Sequence, residues 1–479
     1  MANPSKSAKS NKSGSAAKAG KSGRSKYSKA GSAYPAPSIR PVRSAPAGAP
    51  NIIFVNVDQL RHDAISALGN PHVYTPNIDA LVRAGTTFLC AQSSHPLCSP
   101  TRTSWVTGRM PSEHGCISNN IDALKDIPDY AQWLGARGYD CYHAGKWHVQ
   151  GRAVEDSFNV LYTHYGIGEY SDDACATIAE KFLAERAGDK PFVLNVCLIN
   201  PHDCCFMARP WAMPALKFGL EKKLAGEMPP IRPAYDPKKP VAGSNIHQWN
   251  EQSMRLNNYV YYRQCEMVDD CVGRIFRALR GSRFAANTVF IFSSDHGEML
   301  GEHNRLGKNA LYDGSLRVPL IIVAPGRAPE NTRNATTLTT GVDITATMLD
   351  YAGAEPMPGM TIARSLRPVL EGKTGKIHEY LPAETSVHGV AGPHVSIQHG
   401  AYKSIFAMTE GGTSGMELYN TVADPHELKD LARTEAAAPV VAAHRKMLAH
   451  YQGRIVHSDN YKQFLRDPKS GPAGRDDDE

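Results

Sequence analysis

The clearest chemical signal in the sequence is a short segment that begins at Cys98 and reads Cys-Ser-Pro-Thr-Arg. Ser99 is a residue type that caps helices and Pro100 suits the first helical position, so a helix is predicted to begin there. Cys98 would then lie just before a helix N-terminus, where backbone N–H groups and the helix dipole stabilise an anion. A cysteine nucleophile would be well placed at this point, although an inert buried cysteine before a capped helix gives the same pattern.

Other polar residues with complementary chemistry follow four apolar segments of strand length. They are Asp58 and Gln59 after Ile52–Val57, Lys146 and His148 after Tyr139–His143, His202 after Phe192–Ile199, and Asp295 and His296 after Val289–Ser293. The carboxyl ends of the strands form the ligand crevice of an open α/β sheet, so we expect these side chains at one rim. One acid after a strand is usually a helix cap, whereas four such strand ends together indicate an active site.

The rest of the chain has the alternating pattern of an α/β protein. A fifth strand is predicted at Leu320–Ala324, and segments such as Asp172–Arg186 and Ser253–Arg280 have helical length and amphipathic spacing. This order predicts a large, mostly parallel sheet between helices. Pro210–Asn250 lacks periodicity and is interpreted as a surface excursion near the substrate opening.

The pattern changes after about residue 380. Short strands are predicted at Val395–Gln398 and Lys403–Met408, and a helix near Ala436–Tyr451, which is typical of a small α+β subdomain. The predicted organisation is a disordered tail at 1–50, a catalytic α/β domain at 51–380, a C-terminal α+β subdomain at 381–465 and a disordered end at 466–479.

The charge of the chain is concentrated in its first residues. The formal net charge is +6, but residues 1–50 contain ten Lys and Arg side chains and no acid, and the rest carries 43 basic and 47 acidic side chains. Such a polar segment cannot bury a core, and its charge predicts weak attraction to polyanions but no specific nucleic-acid partner. It lacks the apolar region of a secretory signal, so a cytoplasmic protein is expected, with organelle or periplasmic targeting left open.

The apolar segments and the cysteines argue against a membrane protein and a disulfide- or zinc-stabilised protein. No apolar run reaches the length of a membrane span, so no membrane partner is expected. The ten cysteines form no Cys-x-x-Cys pair, which predicts reduced thiols. Cys204 and Cys205 are adjacent, but no matching Cys and His spacing supports a zinc cluster.

Taken together, the motifs resemble those of the type I, formylglycine-dependent sulfatases of the alkaline-phosphatase superfamily. Their Cys-x-Pro-x-Arg signature, which directs oxidation of the cysteine to formylglycine, matches Cys98–Arg102. The other matching segments are Asn51–Gln59, Gly145–His148, Asn200–His202, Ser294–His303, Gly307–Lys308, Leu418–Asn420 and Asp424–Glu427. Motifs in this order are far more specific than any single one. The resemblance implies an alkaline-phosphatase-like α/β fold for this chain.

The resemblance also implies one divalent cation, bound by Asp58, Gln59, Asp295, His296 and Cys98. Carboxylate and carbonyl oxygens suit Ca²⁺, the expected ion, or Mg²⁺, while the imidazole adds a preference toward softer ions such as Mn²⁺. Many sulfatases have a second Asp and an Asn where this chain has Gln59 and His296. At both positions the chain is similar to the phosphonate monoester hydrolase branch.

The remaining roles follow from the same resemblance. A formylglycine-generating enzyme would convert Cys98 to an aldehyde, and one hydroxyl of its hydrate would attack the substrate sulfur before the other expels sulfate. The implied supporting residues are Arg102 and Asp295 beside the attacking hydroxyl, Lys146 and Lys308 at the sulfate oxygens, His202 or Lys308 as general acid, and His148 as the base for sulfate release. Glu298, Glu302 and His303 are interpreted as structural residues of the loop after Asp295.

Three functions fit these residues. The first is a sulfatase that acts on an aryl, alkyl or carbohydrate sulfate ester. The second is a phosphonate monoester or phosphodiester hydrolase with the same formylglycine and cation, and the third is a non-catalytic anion-binding protein. A binding protein needs no general acid, so the complete set of catalytic positions favours an enzyme. The sequence carries no signal for the oligomeric state or for the leaving group.

Overall fold

Three sheets and the helices around them form the part of the chain that the computed structural model describes, which is residues 39, 44–163, 166–208, 224, 226–243 and 249–468. The strands are β1 (Asn51–Asp58), β2 (Thr86–Phe88), β3 (Ala91–Gln92), β4 (Asp140–Gly145), β5 (Asn159–Tyr162), β6 (Phe192–Pro201), β7 (Thr288–Ser294), β8 (Leu320–Val323), β9 (Thr332–Asn334), β10 (Thr339–Thr340), β11 (Leu381–His388), β12 (Val390–His399), β13 (Tyr402–Thr409) and β14 (Gly412–Asn420).

Helices cover both faces of the largest sheet, and the last two described helices contact β12 and β13 instead. The helices are α1 (Pro76–Ala84), α2 (Cys98–Thr107), α3 (Pro111–His114), α4 (Tyr130–Gly135), α5 (Gly168–Glu185), α6 (Glu251–Gly281), α7 (Asp313–Leu316), α8 (Gly341–Tyr351), α9 (Arg367–Leu370), α10 (Ala438–Arg454) and α11 (Asp459–Arg466). Within the described ranges, no helix combines the length and the apolar character that crossing a membrane requires.

The largest sheet has eight strands in the order β5-β4-β6-β1-β7-β8-β2-β9. The first five run parallel, whereas β8 is antiparallel to both β7 and β2. Strands β11 to β14 form a separate antiparallel sheet near the C-terminus. The predicted α/β fold, with a mostly parallel sheet and a smaller C-terminal α+β part, is therefore confirmed.

Strand β1 shows why the large sheet lies between two layers of helices. Ile53, Val55 and Val57 pack on one face with α1, α5 and α6. Ile52 and Phe54 pack on the other face with α2, α4 and α8. Successive side chains of a strand point to opposite faces, so a continuous apolar run is buried on both sides. Burial on both faces of the sheet is therefore the physical cause of the apolar runs from which the strands were predicted.

The predicted elements occur, with ends that differ by a few residues. The five predicted strands of the large sheet are β1, β4, β6, β7 and β8, and the two predicted helices are α5 and α6. The later segments correspond to β12, β13 and α10. The predicted surface excursion, Pro210–Asn250, is described mainly at positions 226–243. These positions form turns, with one bridge between Ala242 and Arg305, and most of the other positions lie outside the described residues.

The last part of the predicted basic tail packs against the body. Ala45 and Ala49 contact the core on the α2 side of the sheet. The Tyr139 hydroxyl donates to the Pro50 carbonyl oxygen at 2.9 Å. Part of the segment assigned to the tail therefore packs on the body, because small apolar side chains that look like linker in the sequence have a packing site there. The other predicted tail positions, 1–38, 40–43 and 469–479, lie outside the described residues.

A buried ion cluster joins the C-terminal sheet to α7. Lys403 on β13 is fully buried, and its Nζ lies 2.5 Å from Asp313 Oδ1 and 2.6 Å from Glu427 Oε1. The backbone N–H of Asp313 also donates to Glu427 at 2.7 Å. Asp313 begins α7, whereas Glu427 lies in the loop after β14. The lysine thus neutralises two carboxylates that come from different regions.

Replacing Lys403 with methionine is expected to lower the free energy of unfolding by about 3–5 kcal/mol, because it leaves the buried Glu427 without its cation and Asp313 with only Arg317, at 3.4 Å. Chemical denaturation with circular dichroism measures the change. Lys462→Met is the matched control, since Lys462 is 46% exposed and pairs with Asp459 on the surface of α11. The control should change the stability by less than about 0.5 kcal/mol. Equal stabilities for the two variants would contradict the role given to the cluster.

Candidate active site

Four neighbouring parallel strands, in the order β4-β6-β1-β7, end at one rim of the large sheet. They position Lys146 and His148 after β4, His202 after β6, Asp58 and Gln59 at the end of β1, and Asp295 and His296 after β7. Gly145 lets β4 and β6 come together, because a Cβ at this position would collide with the carbonyl oxygen of Cys197. The prediction that these residues share one rim is confirmed, since adjacent parallel strands bring their carboxyl ends together.

Helix α2 carries Cys98, but it begins earlier than predicted. Cys98 is its first residue and Leu97 is at the N-cap position, so the prediction that Ser99 caps the helix is wrong. The backbone N–H of Ser99 donates instead to Asn119 Oδ1 at 3.1 Å. A side chain distant in sequence therefore satisfies part of the helix N-terminus, a contact that local sequence does not reveal. Cys98 still lies in the first turn, where the dipole favours an anion.

Arg102, four residues after Cys98 on α2, holds the two carboxylates of the site. Its Nη2 lies 3.0 Å from Asp58 Oδ2 and 2.9 Å from Asp295 Oδ2, and its Nε donates to the same Asp295 oxygen at 3.0 Å. Burial opposes its charge, but Asp295 and Asp58 outweigh burial and raise the pKa of Arg102 above its ordinary value. Arg102 therefore stays charged and fixes the orientation of both carboxylates.

The sulfur of Cys98 is surrounded by polar groups. Lys308 Nζ lies 3.1 Å from Cys98 Sγ, His296 Nε2 lies 3.2 Å away and Asp58 Oδ1 lies 3.5 Å away. The cysteine is fully buried. A structural cysteine packs as a small apolar residue. The contacts of Cys98 therefore favour the interpretation of this residue as a reactive group.

The same region provides donors for a cation. The ligand atoms of Asp58, Cys98, Asp295 and His296 all lie within 4.8 Å of one another. Nδ1 of His296 lies 2.9 Å from the Gly297 carbonyl oxygen, which can only accept, so Nδ1 carries the proton and Nε2 faces the carboxylates. Burial lowers the pKa of His296, which favours the neutral imidazole that binds metals. These donors fit a divalent cation.

Two lysines border the carboxylates. Lys146 Nζ lies 3.0 Å from Asp58 Oδ2. Lys308 Nζ lies between Cys98 Sγ, at 3.1 Å, and Gln59 Oε1, at 3.2 Å. Burial acts to raise the pKa of Asp58, but a group of basic side chains, with Lys146 first, holds it well below its ordinary value. The rim therefore combines ionised carboxylates with ammonium groups that can bind an anion.

Two histidines lie at the same rim. His202 Nδ1 lies 3.5 Å from Asp203 Oδ1. Burial and the two lysines act to lower the pKa of His202, but Cys205 and Asp58 outweigh them and raise it to about 9. A protonated imidazole is the form that a general acid needs. His148 is half-buried in the loop after β4, with a left-handed backbone φ of 50°.

A chain of buried polar side chains behind Arg102 was not predicted. Asn56 Oδ1 accepts from Arg102 Nη1 at 3.3 Å, and Asn56 Nδ2 donates to Asn195 Oδ1 at 3.0 Å. Asn195 Nδ2 lies 3.1 Å from His143 Nδ1, and His143 Nε2 lies 3.1 Å from the Gly145 carbonyl oxygen. The sequence signal that could have revealed this chain is a polar residue inside an apolar strand, such as Asn56 in β1 or Asn195 in β6. Such a residue indicates buried hydrogen bonds but does not identify their partners.

Glu298 holds its loop, as the sequence indicated, and also contacts Gln59. Its Oε1 accepts the backbone N–H groups of Leu300 at 3.1 Å and Gly307 at 2.7 Å. Its Oε2 accepts from Gln59 Nε2 at 2.5 Å. Burial, with a contribution from Cys205, raises the pKa of Glu298 to about 7 against the effect of these N–H donors. The residue therefore touches the predicted cation site, which sequence reasoning missed.

Family models match most of the chain. The model described as sulfatase covers residues 50–354, a range that includes every residue predicted for the site. The chain belongs to the sulfatase family. A second model, N-sulphoglucosamine sulphohydrolase, C-terminal, covers residues 301–454 of this sulfatase. The resemblance inferred from the motifs is confirmed, and with it membership of a family of sulfuric ester hydrolases.

Similar proteins differ in what they act on. Choline-sulfatase of Rhizobium meliloti (strain 1021) is 27% identical to this sulfatase over 435 residues, which cover 80% of this chain and 83% of the relative. A solved 2-O GAG sulfatase is 24% identical, with a TM-score of 0.73 and coverage of 88% and 96%. The phosphonate monoester hydrolase of Agrobacterium radiobacter is 22% identical, with a TM-score of 0.68 and coverage of 84% and 95%. These two structures show the shared fold.

Proposed function

We propose that this sulfatase hydrolyses a sulfate monoester to an alcohol and inorganic sulfate, with Cys98 matured to formylglycine and one divalent cation beside it. The observation that carries the proposal is the set of contacts of Cys98 Sγ, with Lys308 at 3.1 Å, His296 at 3.2 Å and Asp58 at 3.5 Å. These groups have the charges and proton-binding sites that sulfate transfer needs. Family membership supports the reaction class.

The residues that would hold the cation are Asp58, Asp295 and His296, with Gln59 as a further oxygen ligand. Their donor set, two carboxylates and a neutral imidazole whose ligand atoms converge with Cys98 within 4.8 Å, supports this assignment. When bound, the cation supplies positive charge next to position 98 and to the sulfate oxygens. Ca²⁺ and Mg²⁺ suit the carboxylate oxygens, and Mn²⁺ also suits the imidazole.

The charges of the site fit an anionic substrate. Three cationic side chains, Arg102, Lys146 and Lys308, face two carboxylates, and a divalent cation adds further positive charge. Arg102 is held between both carboxylates, whereas Lys146 contacts Asp58 and Lys308 contacts Cys98 and Gln59, so we assign the equatorial sulfate oxygens to the two lysines. Fixed positive charge of this kind stabilises the transition state without reorganisation.

Proton transfer is assigned to Asp295 and to the two histidines of the rim. Formylglycine at position 98 supplies the two hydroxyl groups of a hydrated aldehyde, and Asp295 would accept the proton of the hydroxyl that bonds to sulfur as the ester S–O bond breaks. His202 would give its proton to the leaving oxygen as the ester bond breaks, in keeping with the pKa of about 9 that Cys205 and Asp58 produce against burial. His148 would take a proton from the second hydroxyl, so that sulfate leaves and the aldehyde is regenerated.

Substrates with different leaving groups are expected to distinguish the roles of these two histidines. His202→Ala should lower kcat/KM for an alkyl sulfate by about 10²–10⁴-fold, because the poorly acidic alcohol needs a proton. For nitrophenyl sulfate, whose leaving group departs as an anion, the loss should stay below about tenfold. His148→Ala is the matched control, since it acts after the alcohol has left. It should lower kcat for both substrates and leave kcat/KM, which ends at the first irreversible step, nearly unchanged. Equal losses for His202→Ala would move the general acid to Lys308.

A second candidate function is phosphonate monoester or phosphodiester hydrolysis by the same residues. The observation that favours it is the pair Gln59 and His296, at which the chain is similar to phosphonate monoester hydrolases. The solved phosphonate monoester hydrolase has the same fold. Both functions use the same nucleophile, so only the preferred ester distinguishes them.

A paired rate measurement tests the proposal. The matured protein, loaded with Ca²⁺ and in parallel with Mn²⁺, is given nitrophenyl sulfate and the matched nitrophenyl phenylphosphonate. We expect kcat/KM for the sulfate to be higher by more than about tenfold, a difference of about 1.4 kcal/mol in transition-state binding. The reverse preference would assign the protein to the phosphonate hydrolases. Absence of turnover for both esters, and for alkyl and saccharide sulfates, would favour the anion-binding alternative.

A further inference from the structure

The orientation of Gln59 is a requirement of the proposed cation site. A glutamine side chain has two ends of nearly the same shape, and only the carbonyl oxygen can ligate a cation. In the structure Gln59 Oε1 accepts from Lys308 Nζ at 3.2 Å, so the oxygen faces the site. Gln59 is fully buried and its backbone is left-handed, with φ of 72°. Lys308, which can only donate, favours the oxygen at this end, and the group at the other end of the amide must agree with it.

The other end of this amide points at acceptors. Gln59 Nε2 donates to Glu298 Oε2 at 2.5 Å, and the sulfur of Cys204 lies 3.6 Å from the same nitrogen. The sulfur of Cys205 lies 3.3 Å from the nitrogen and 3.6 Å from Oε1, so it contacts both ends of the amide and does not select between them. An ionised carboxylate can only accept hydrogen bonds. A reversed amide would place its oxygen against a carboxylate oxygen and its NH₂ group against the Lys308 ammonium, so Glu298 and Lys308 together favour the observed orientation.

The second oxygen of Glu298 is also occupied. It accepts the N–H groups of Leu300 and Gly307, at 3.1 Å and 2.7 Å, and only 2% of the residue is exposed. The carboxylate cannot turn away from Gln59 without leaving these buried donors unsatisfied. Gly307 directly precedes Lys308, so one carboxylate links the amide to the loop that carries the lysine.

We propose that Glu298 is a positioning residue, which fixes the Gln59 oxygen toward the cation site and anchors the loop that carries Lys308. The inference rests on the proposed function through its cation. Groups that orient ligating side chains typically change metal affinity 10- to 100-fold when they are replaced. Glu298 is thereby distinguished from a residue that only holds the loop together.

Glu302 in the same loop provides the matched comparison. It is also a buried glutamate, but it pairs with Arg61 at 3.0 Å and Arg232 at 2.8 Å and accepts from His426. None of these partners is a predicted ligand or catalytic residue. Removing its charge should lower stability through the two arginines and leave the orientation of Gln59 unchanged.

Glu298→Gln gives a specific expectation. The oxygen of the introduced amide can keep the N–H groups of Leu300 and Gly307, but the nitrogen of that amide then meets Gln59 Nε2, and two donors cannot pair. Gln59 can relieve this conflict by turning over, which pairs the two amides but places its NH₂ group toward the cation and Lys308, where the hydrogen bond from the ammonium is lost. The variant should therefore stay folded and bind the cation more weakly.

The double substitution Gln59→Glu with Glu298→Gln reverses donor and acceptor between the two positions. The carboxylate at position 59 accepts from the amide at position 298 and has oxygen at both ends, so orientation no longer matters. Cation affinity should return to the wild-type level or above it. A purely structural role for Glu298 does not predict this rescue.

The test measures Mn²⁺ affinity of the full chain before maturation, by electron paramagnetic resonance of free Mn²⁺, at a pH above the pKa of Glu298. We expect Glu298→Gln to weaken binding by about 10–100-fold, with Glu302→Gln unchanged and the double variant restored. Thermal unfolding of each variant is recorded in parallel. If Glu298→Gln does not fold, the double variant is compared with Gln59→Glu alone, which carries the same added ligand charge, and a double variant that binds at least as tightly as Gln59→Glu carries the same support.

Several results would overturn the proposal. Wild-type affinity in Glu298→Gln, an equal loss in Glu302→Gln, or a double variant that fails to recover would each remove the positioning role, while the proposed cation would stand. A wild-type chain that binds no Mn²⁺ or Ca²⁺ would instead show that the cation of the proposed function is wrong, and the inference would fall with it. The two failures are therefore distinguishable.

Discussion

Replacing Cys98 with alanine is expected to lower kcat by more than about 10⁴-fold, because it removes the atom from which the proposed nucleophile is made. The fold should persist, since the sulfur is small and its contacts are with polar groups of the site. Hydrolysis of nitrophenyl sulfate measures the loss, and thermal unfolding measures stability.

Cys116→Ala is the matched control for this variant. Cys116 is also fully buried and lies close to α2 in sequence, but its sulfur contacts the carbonyl oxygen of Ser118 at 3.6 Å. Its replacement should change kcat by less than about tenfold. Full turnover in Cys98→Ala, or the same large loss in both variants, would contradict the assignment of Cys98 as nucleophile.

Replacing Asp295 or Asp58 with alanine is expected to abolish both cation binding and turnover. Each variant removes a carboxylate from the donor set and leaves Arg102 with one of its two partners. Replacing a residue that only orients a metal ligand typically lowers metal affinity or activity by 10- to 100-fold. Removing a ligand itself should cost more, so we expect kcat/KM to fall by more than about 10³-fold for every substrate. Metal analysis after gel filtration and rate measurements test the two losses together.

Asp269→Ala provides a control for the removal of a buried carboxylate. Asp269 on α6 accepts the backbone N–H of Ile78 at 2.7 Å and does not contact the site. This variant should lose stability and retain its cation. Cation content that is unchanged in Asp58→Ala and Asp295→Ala would remove both residues from the proposed ligand set.

Much of the fold was predictable because burial leaves a direct pattern in the sequence. The apolar run of β1 is buried on both faces, and the position of Asp58 and Gln59 at its end follows from the chemistry of parallel sheets. The direction of β8 was not predictable, because an apolar run reads the same in a parallel and an antiparallel strand. The packed residues before β1 were missed because alanine and proline carry little apolar signal.

The site was predictable at the level of residue types and not at the level of contacts. Motifs and strand ends identified Cys98, Arg102 and the two lysines. They could not show that Arg102 is shared between Asp58 and Asp295, or that Asn119 satisfies the start of α2, because these contacts join segments that are distant in the chain. The orientation of Gln59 by Glu298 depends on one hydrogen bond across the site, for which no sequence spacing exists.

The most direct test of the account compares the state of Cys98 with turnover. Preparations made with increasing amounts of a formylglycine-generating enzyme are digested, and mass spectrometry gives the fraction of the Cys98 peptide that carries an aldehyde. The same preparations, loaded with Ca²⁺, are assayed for release of inorganic sulfate from nitrophenyl sulfate. We expect turnover per chain to be proportional to the aldehyde fraction and to vanish when only the thiol is present. Undiminished sulfate release from protein in which Cys98 is entirely thiol would contradict it.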